Sequence, residues 1–301
     1  MSAGNVLACP AMKPADVVRL VILGALWGGS FIFMRVIAPV LGPVLTSGLR
    51  VFIGGAALLV YFQIIGFNAN WRAHFRHYAV IGVLNSGVPF LLYAYAALHL
   101  PASLSAIFNS TAPLFGAVFG AIWLGDKLTG SRLVGLALGM IGVAVASWHP
   151  GVALAPGSVP AMAACLGATC CYGLAGTYMK KFARHVPSLG IAGCSQMLAG
   201  VLVLSFTPLS PMRSALTPEV AACLLALALL CSAVAFVLYF RLIADVGPAK
   251  ALTVTFLIPV FGILWAVLFL GEKITVPMLV GCALIVLGTF VVVRPKPASA
   301  S

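Results

Sequence analysis

Three prolines inside long apolar stretches mark the places where this sequence could bind a polar ligand. A proline removes one helical hydrogen bond and frees the carbonyl four residues earlier. Each freed carbonyl belongs to a polar residue, in the pairs Pro89 with Asn85, Pro113 with Asn109 and Pro259 with Thr255. If these stretches cross a membrane, such carbonyls are tolerated where they are buried in protein or face a water-filled cavity. We therefore predict that these residues and Ser110 line a cavity, and a kink satisfied by nearby hydroxyls is the alternative.

Aromatic residues at helical spacing form a second set of candidates. They would make the apolar wall of a substrate pocket if they face inward, although packing and interfacial belts are their commoner roles. Its aromatic members are Trp27, Phe31, Tyr93, Tyr172, Tyr178, Phe236, Tyr239, Phe256 and Trp265. We add two serines to this set as polar candidates, Ser30 and Ser232. Tyr93 and Tyr239 occupy matching positions in the internal repeat described below, so both halves keep an aromatic residue at equivalent depth.

Enzymatic and metal chemistry find little support in the sequence. All five histidines fall at the ends of apolar stretches or between them, and no HExxH motif is present. The stretch Gly193-Cys194-Ser195 resembles a serine nucleophile motif only loosely and has no embedded histidine to activate it. The eight cysteines show no metal or disulfide spacing. We expect neither an enzyme, nor a bound metal, nor a cofactor.

The stretch from 113 to 142 occurs twice in the chain. An offset of 146 positions places it on 259–288, and the shared pattern is Pro-x-Phe-Gly followed by Leu-Gly-(Asp/Glu)-Lys-(Leu/Ile)-Thr. The same offset matches residues 84–86 to residues 230–232. Self-similarity at one fixed offset indicates a duplicated chain.

Composition indicates what has been duplicated. Hydrophobic residues make up 62% of the 301 residues and charged residues only 7%, against about 25% charged in a typical soluble domain. Apolar runs of about 20 residues, the length that crosses a bilayer as a helix, follow one another along the chain. The net charge of +12 comes from basic residues scattered singly between these runs, so it does not indicate nucleic acid. The sequence predicts an all-α polytopic membrane protein.

The apolar runs predict ten membrane spans in two sets of five. Residues 1–148 form the first five-helix repeat, residues 149–157 a linker and residues 158–301 the second repeat. The turn between the first two spans is placed at Pro39, Gly42 and Pro43, and a polar loop is expected between Gly66 and His77. The predicted spans are 16–36, 45–65, 77–98, 102–124, 131–148, 158–180, 188–208, 219–243, 249–270 and 276–293.

An odd number of spans in each repeat predicts that the two halves cross the membrane in opposite directions, as in many secondary transporters. The positive-inside rule agrees with this count. With a cytoplasmic N-terminus, thirteen of the 17 lysines and arginines lie inside and four outside. We therefore expect a multi-pass protein of a bacterial-type inner membrane with both termini in the cytoplasm.

The repeated segments and the first span, LWGGSFIFMR, resemble the ten-helix EamA-type branch of the drug/metabolite transporter superfamily. The resemblance covers nearly the whole chain, and its motifs are specific for the family but not for a substrate. It implies export of small metabolites, with bacterial exporters of aromatic and neutral amino acids as the functional model. It also implies that spans 5 and 10 are peripheral.

The sequence therefore predicts a secondary transporter that exports small metabolites by alternating access through a central cavity built by spans 1, 3, 4, 6, 8 and 9, and the resemblance implies neutral or aromatic amino acids as substrates. Efflux of amphipathic drugs is the alternative, and a passive channel is a weaker one. The expected partners are a small-molecule substrate and the lipid bilayer, without nucleic acid or an obligatory protein partner.

All five carboxylates lie at span ends or in loops, so we expect gradient-driven transport without an obligatory proton. Arg50, about a turn inside the second span, is expected to snorkel to the outer interface. The Gly125-Asp126-Lys127 and Gly271-Glu272-Lys273 turns are expected to be solvated caps, and a gate contact between helices is the alternative.

Overall fold

The computed structural model describes residues 12–148 and 155–293, and within these residues the chain is helical with no β-strand. Seven helices among the described residues are long and apolar enough to cross a membrane, and two further apolar helices are shorter. The helices are α1 (Pro14–Ile64), α2 (Trp71–Ala96), α3 (Ala102–Leu124), α4 (Gly130–Ser147), α5 (Ser158–Phe182), α6 (Ser188–Leu204), α7 (Pro218–Val246), α8 (Val254–Leu270) and α9 (Val276–Val293).

Helix α1 turns back on itself at Gly42. This residue has φ 76° and ψ 165° inside an otherwise helical run, a conformation that glycine adopts without steric cost. The Nη1 atom of Arg50 lies 3.7 Å from the Sδ atom of Met34, whereas two such residues in one straight helix would be roughly 24 Å apart. The segments 14–41 and 43–64 are therefore antiparallel neighbours. Pro39 and Pro43, expected to mark the turn together with Gly42, lie in the last turn of the first segment and at the first position of the second.

The expected polar loop between Gly66 and His77 is wrong in its second half, because α2 begins at Trp71. Asn70 precedes it in the left-handed conformation, with φ 44°. Trp71 then packs against Phe75 and Tyr78, with ring centroids 5.6 Å and 6.3 Å away. This spacing places the three rings on one helix face.

Helices α2 and α7 each contain one π-helical turn, Val83–Gly87 and Leu229–Val234. The two turns start at positions separated by the repeat offset. Pro89 follows the first turn, but alanine occupies the matching position, 235, in the second repeat. The second turn therefore forms without a proline.

The halves meet through reciprocal close contacts of glycines. A Cβ atom on Gly28 of α1 would lie 2.8 Å from the backbone nitrogen of Gly262 in α8, and one on Gly173 of α5 would lie 2.7 Å from that of Gly116 in α3. Gly28 corresponds to Gly173 in the repeat, and Gly116 to Gly262. Such reciprocal pairing between equivalent positions is the property of a two-fold related interface.

Helices α4 and α9 pack on each other in the same reciprocal way. A Cβ atom on Gly135 would lie 2.7 Å from the carbonyl oxygen of Gly288, and one on Gly142 would lie 2.8 Å from that of Gly281. The residue numbers of these contacts rise along α4 and fall along α9, so the two helices are antiparallel. Small residues allow this close approach of helix backbones. The outer faces of both helices carry exposed apolar side chains such as Met140 and Val276.

The turns after α3 and α8 have the same geometry but different contacts. Gly125 and Gly271 end these helices in the left-handed conformation, with φ 71° and 63°. Glu272 then reaches the first half of the chain, where its Oε1 accepts the backbone N–H of Ala102 at 2.6 Å and its Oε2 that of Ser103 at 3.1 Å. The expectation of a solvated cap is therefore wrong for Glu272, whose carboxylate satisfies free N–H groups at the start of α3.

Candidate functional site

A polar and aromatic cluster lies where the two halves meet. Tyr93 of α2 is buried, with its ring centroid 5.3 Å from that of Phe31 in α1 and 6.4 Å from that of Tyr172 in α5. Its hydroxyl donates a hydrogen bond to Oδ1 of Asn109 in α3, at 3.0 Å. Tyr172 belongs to the second half and the other three residues to the first. We call these four residues the central cluster.

A second aromatic group continues along α1 toward α7. The ring of Trp27 lies 5.9 Å from Phe236 and 5.2 Å from Tyr239. Ser30 is buried and donates its hydroxyl hydrogen to the carbonyl of Trp27 one turn earlier. This group also joins the two halves, because α1 and α7 belong to different repeats.

The environment of Arg50 differs from the one that the sequence predicts. Its side chain does not snorkel to the interface, because only 3% of the residue is exposed. Its Nε donates to the hydroxyl of Ser232 in α7 at 3.2 Å, and its guanidinium carbon lies 3.8 Å from the ring centroid of Phe90 in α2. Hydropathy indicates how deep Arg50 lies in its span but not where its side chain points. Its hydrogen-bond partner, Ser232, lies 182 positions away in the sequence.

The neighbourhood of Arg50 contains further buried polar atoms. Ser232 and Ser86 lie in the two π-helical turns, at equivalent positions of the repeat, and both are buried. The Ser86 hydroxyl and the Oε1 atom of Gln196 have no hydrogen-bond partner among the described residues. π-helical turns occur frequently at functional sites, and each half carries one here.

The candidates linked to Pro113 lie at a break in α3. Helix α3 is interrupted between Asn109 and Ala112, with Pro113 in the first turn of the resumed helix. The carbonyl of Ser110 in this break accepts the hydroxyl of Thr289 from α9 at 2.9 Å, while the Ser110 hydroxyl is buried without a partner among the described residues. Helix α9 therefore contacts the interior at this point.

The remaining candidates divide between interior and periphery. Pro89 and Pro259 are buried, and Asn85 is partly buried in the first π-helical turn. Trp265 donates from Nε1 to the carbonyl of Ala25 at 3.0 Å, so its indole ties α8 to α1. Two other candidates lie apart from the central cluster: the Thr255 hydroxyl donates to the carbonyl of Leu252, and the Phe256 ring packs on Phe290.

Tyr178 lies in a different environment, beside a group of histidines. Its hydroxyl is 3.0 Å from Nδ1 of His77. The rings of His74 and His77 in turn lie 5.4 Å and 5.2 Å from that of His185. No group of histidine, cysteine or acidic residues that could hold a metal ion occurs among the described residues.

Polar contacts join the two halves at both ends of the bundle. At the end where α1 begins, Arg19 pairs with Asp245 of α7. At the end where α3 begins, Glu272 holds Ala102 and Ser103. Arg50, Tyr93 and Ser232, between these ends, are all buried.

Similar helical halves, apolar helices long enough to cross a bilayer and a buried polar and aromatic centre between the halves define a multi-pass membrane protein of the transporter class. Comparison with protein families specifies the class further. The model of the EamA-like transporter family matches residues 17–148 and again residues 159–294. The chain therefore belongs to this family, with one family domain in each half, and family membership indicates a transporter rather than an enzyme.

Relatives of known sequence carry transporter names. The uncharacterized transporter YvbV of Bacillus subtilis is 27% identical over 281 residues, which cover 91% of this chain and 90% of YvbV. A probable terminal-alkyne amino-acid exporter of Streptantibioticus cattleyicolor is 26% identical and covers 91% of this chain and 92% of its own length. A probable amino-acid metabolite efflux pump of Salmonella typhimurium is 25% identical, covering 93% and 95%.

A solved crystal structure is similar in fold. It matches with a TM-score of 0.64 at 20% sequence identity, and the match covers 93% of this chain and 98% of that chain. At this identity the likeness concerns the arrangement of the helices.

Proposed function

We propose that this protein is a secondary transporter that exports small metabolites by alternating access, with neutral and aromatic amino acids as the best-fitting substrates. The observation that carries the proposal is the central cluster, because Tyr93 and Asn109 of one half share it with Tyr172 of the other. A relative movement of the halves would open this cluster to one side of the membrane at a time.

The proposal includes ten spans in two inverted sets of five. Helix α1 supplies two spans because the chain reverses at Gly42, and the shorter α6 and α8 complete the count. Close contacts of α6 and α8 with α1 support this reading, since a Cβ atom on Gly55 would lie 2.6 Å from the backbone nitrogen of Met197 and Gly28 approaches Gly262. The reciprocal, antiparallel contacts of α4 with α9 support the inversion.

The proposed setting is a bacterial-type inner membrane with both termini in the cytoplasm, as the charge distribution favours. Two contacts support a common side for the loops near Arg72 and Lys180 and for the turn after α3. His74 lies beside His185, and the Nζ of Lys181 donates to the carbonyl of Trp123 at 3.1 Å. Each contact joins two segments that the ten-span arrangement assigns to the cytoplasm.

The substrate class follows from the chemistry of the central cluster and its neighbours. Tyrosine hydroxyl and asparagine amide groups can bind the polar part of an amino acid, while the rings of Phe31, Trp27 and Phe236 offer an apolar wall. The printed names of two relatives, an amino-acid exporter and an amino-acid metabolite efflux pump, point the same way. The same wall would also suit amphipathic drugs, which form the second candidate class.

Uptake into liposomes that contain the purified protein tests this proposal. The panel consists of labelled phenylalanine, leucine and threonine together with cationic dyes, and protein-free liposomes are the control. We expect saturable uptake of at least one amino acid and little uptake of dye. Transport of dyes without any amino acid would reject the amino-acid assignment, and no transport of any compound would reject the proposed function.

A further inference from the structure

We propose that Arg50 is the site at which the transported substrate binds through a carboxylate, so that the protein selects small monoanionic carboxylates and zwitterionic amino acids. The inference rests on the proposed function in taking the bound ligand to be the transported one. It adds a chemical requirement to that function, because compounds without a carboxylate should be poor ligands.

The first observation is that Arg50 is buried without a counter-charge. The ion pairs of the described residues involve Arg19 with Asp16 and Asp245, and neither includes Arg50. The five carboxylates of the sequence all lie within about a turn of a helix end or in the turns that follow α3 and α8. A buried unpaired charge is costly, so an arginine here needs a partner that the protein itself does not provide.

The second observation concerns the hydrogen bonds that Arg50 leaves open. A guanidinium group has five N–H donors. Two of these have an acceptor, namely the Ser232 hydroxyl at 3.2 Å and the weakly accepting Met34 sulfur at 3.7 Å. The remaining donors have no acceptor among the described residues. The face of Phe90 supports the flat side of the group, which leaves its edge to bind a ligand.

The third observation is the position of Arg50 between the halves and beside the central cluster. Ser232 belongs to the second half, whereas Met34 and Phe90 belong to the first. Tyr172 packs with Phe90 and Val51 in one apolar group, and its ring also faces Tyr93 of the central cluster. A ligand bound by Arg50 would therefore lie next to the aromatic wall and would contact both moving halves.

The charge and shape of the site favour a carboxylate over a phosphate. The planar fork of arginine matches the two oxygens of a carboxylate. Arg50 is the only buried lysine or arginine among the described residues, and one cation balances one negative charge. A phosphate monoester, which carries close to two charges at neutral pH, would keep an unbalanced charge in this apolar site.

A structural role for Arg50 is the competing explanation, and ligand pairs separate the two. Phenylalanine and phenylalaninamide differ only at the carboxylate, and benzoate and benzamide form a pair without the amine. The experiment measures the rise in melting temperature that each ligand causes in the purified full-length protein. Comparing this rise within each variant cancels any change in the stability of the variant itself.

Four proteins are compared: wild type, Arg50→Met, Arg50→Lys and the control Arg213→Gln, which removes one positive charge from an exposed segment. We expect phenylalanine and benzoate to stabilise wild type and the control far more than their amides do. Affinity for the acids should fall on the order of 30-fold or more in Arg50→Met, and by about tenfold in Arg50→Lys, which keeps the charge but loses the fork.

Equal stabilisation by acids and amides in wild type would overturn the inference, as would unchanged acid binding in Arg50→Met. If Arg50→Met does not fold, Arg50→Lys decides, and an unchanged ratio of acid to amide affinity would reject the carboxylate site. Stronger stabilisation by phenyl phosphate than by benzoate would also reject it. Failure of the proposed function has a different signature, namely Arg50-dependent binding of acids without transport of any panel compound.

Discussion

Tyr93 is the residue whose hydroxyl ties the central cluster together. Replacing it with phenylalanine removes the hydrogen bond to Asn109 and keeps the contacts of the ring with Phe31 and Tyr172. We expect Tyr93→Phe to lower the free energy of unfolding by about 1 kcal/mol, the typical contribution of one buried hydrogen bond. We also expect it to slow phenylalanine efflux from proteoliposomes several-fold, because the site loses a polar group.

Tyr61→Phe provides the matched control for Tyr93→Phe. The hydroxyl of Tyr61 takes no part in the hydrogen bonds of the central cluster, and the residue lies at the far end of the segment 43–64. Equal slowing of efflux by both substitutions would remove Tyr93 from the substrate site.

At the residue scale, sequence could identify polar and aromatic candidates but could not show which ones meet. Tyr93, Asn109 and Tyr172 meet as neighbours of one cluster, although they come from three helices. Tyr178 is a tyrosine like Tyr93 and Tyr172, yet it packs beside His77. Arg50 is predicted at the outer membrane interface because hydropathy indicates its depth in the span but not the direction of its side chain. Contacts between distant positions decide these outcomes, and a single sequence does not contain them explicitly.

At the element scale, the reciprocal glycine contacts predict matched effects in the two halves. An alanine at Gly28 would press its Cβ atom against the backbone of α8, and an alanine at Gly173 would press against α3, both at less than 3.0 Å. Backbone cannot yield as a flexible side chain does, so each substitution should destabilise the protein by about 1–3 kcal/mol.

Gly176→Ala is the control for these two substitutions. A Cβ atom on Gly176, in the middle of α5, would have no non-local atom within 4 Å. We expect this variant to be neutral or more stable by up to about 1 kcal/mol, since alanine favours a helix more than glycine does. Thermal unfolding in detergent checks all three variants, and equal stability of Gly28→Ala and Gly176→Ala would contradict the close packing of α1 on α8.

The contact of Glu272 with the start of α3 predicts a difference between the two repeats. Glu272→Gln weakens the acceptor for two backbone N–H groups and the Ser103 hydroxyl. We expect a loss of about 1–2 kcal/mol in the free energy of unfolding, the usual size of a helix N-cap contribution.

The equivalent Asp126→Asn serves as its control. The carboxylate of Asp126 forms no hydrogen bond or ion pair among the described residues, so this substitution should leave thermal stability nearly unchanged. A larger loss in Asp126→Asn than in Glu272→Gln would show that the two turns have been assigned the wrong roles.

Element boundaries follow the hydropathy of the sequence closely, and their exceptions have physical causes. Helix α9 begins at Val276, where the apolar run does. Hydropathy does not indicate the start of α2, because its first turns carry arginine and histidine, although Trp71, Phe75 and Tyr78 pack along one face of this helix. The π-helical turn at Leu229–Val234 was missed because no proline marks it, and only the repeat offset from residues 84–86 could have indicated it.

At the scale of the whole molecule, the ten-span arrangement predicts the side on which each loop lies. Single cysteines at Arg72 and Lys180, in a chain whose eight native cysteines have been replaced, should react with an impermeant reagent from the cytoplasmic side. A cysteine at Arg213 should react from the other side. Labelling of positions 72 and 180 on opposite sides would overturn the inverted arrangement.

The whole-molecule distribution of carboxylates predicts how transport is driven. A proton-coupled carrier commonly places an acidic group or a histidine in mid-membrane, whereas the structure places the five carboxylates at or near helix ends. We therefore expect the substrate to move along its own gradient. Net flux should persist when a protonophore removes a pH gradient at clamped potential, and its abolition would reveal a missing coupling site.

Counterflow in proteoliposomes tests the exchange between two alternately exposed states most directly. Vesicles loaded with unlabelled phenylalanine are diluted into a trace of labelled phenylalanine, at equal pH on both sides and at clamped membrane potential. Alternating access predicts that the label accumulates transiently above its equilibrium level, because each carrier that opens inward exchanges one molecule for another. Equilibration of the label without any overshoot, as through a passive channel, would contradict the proposed transport mechanism.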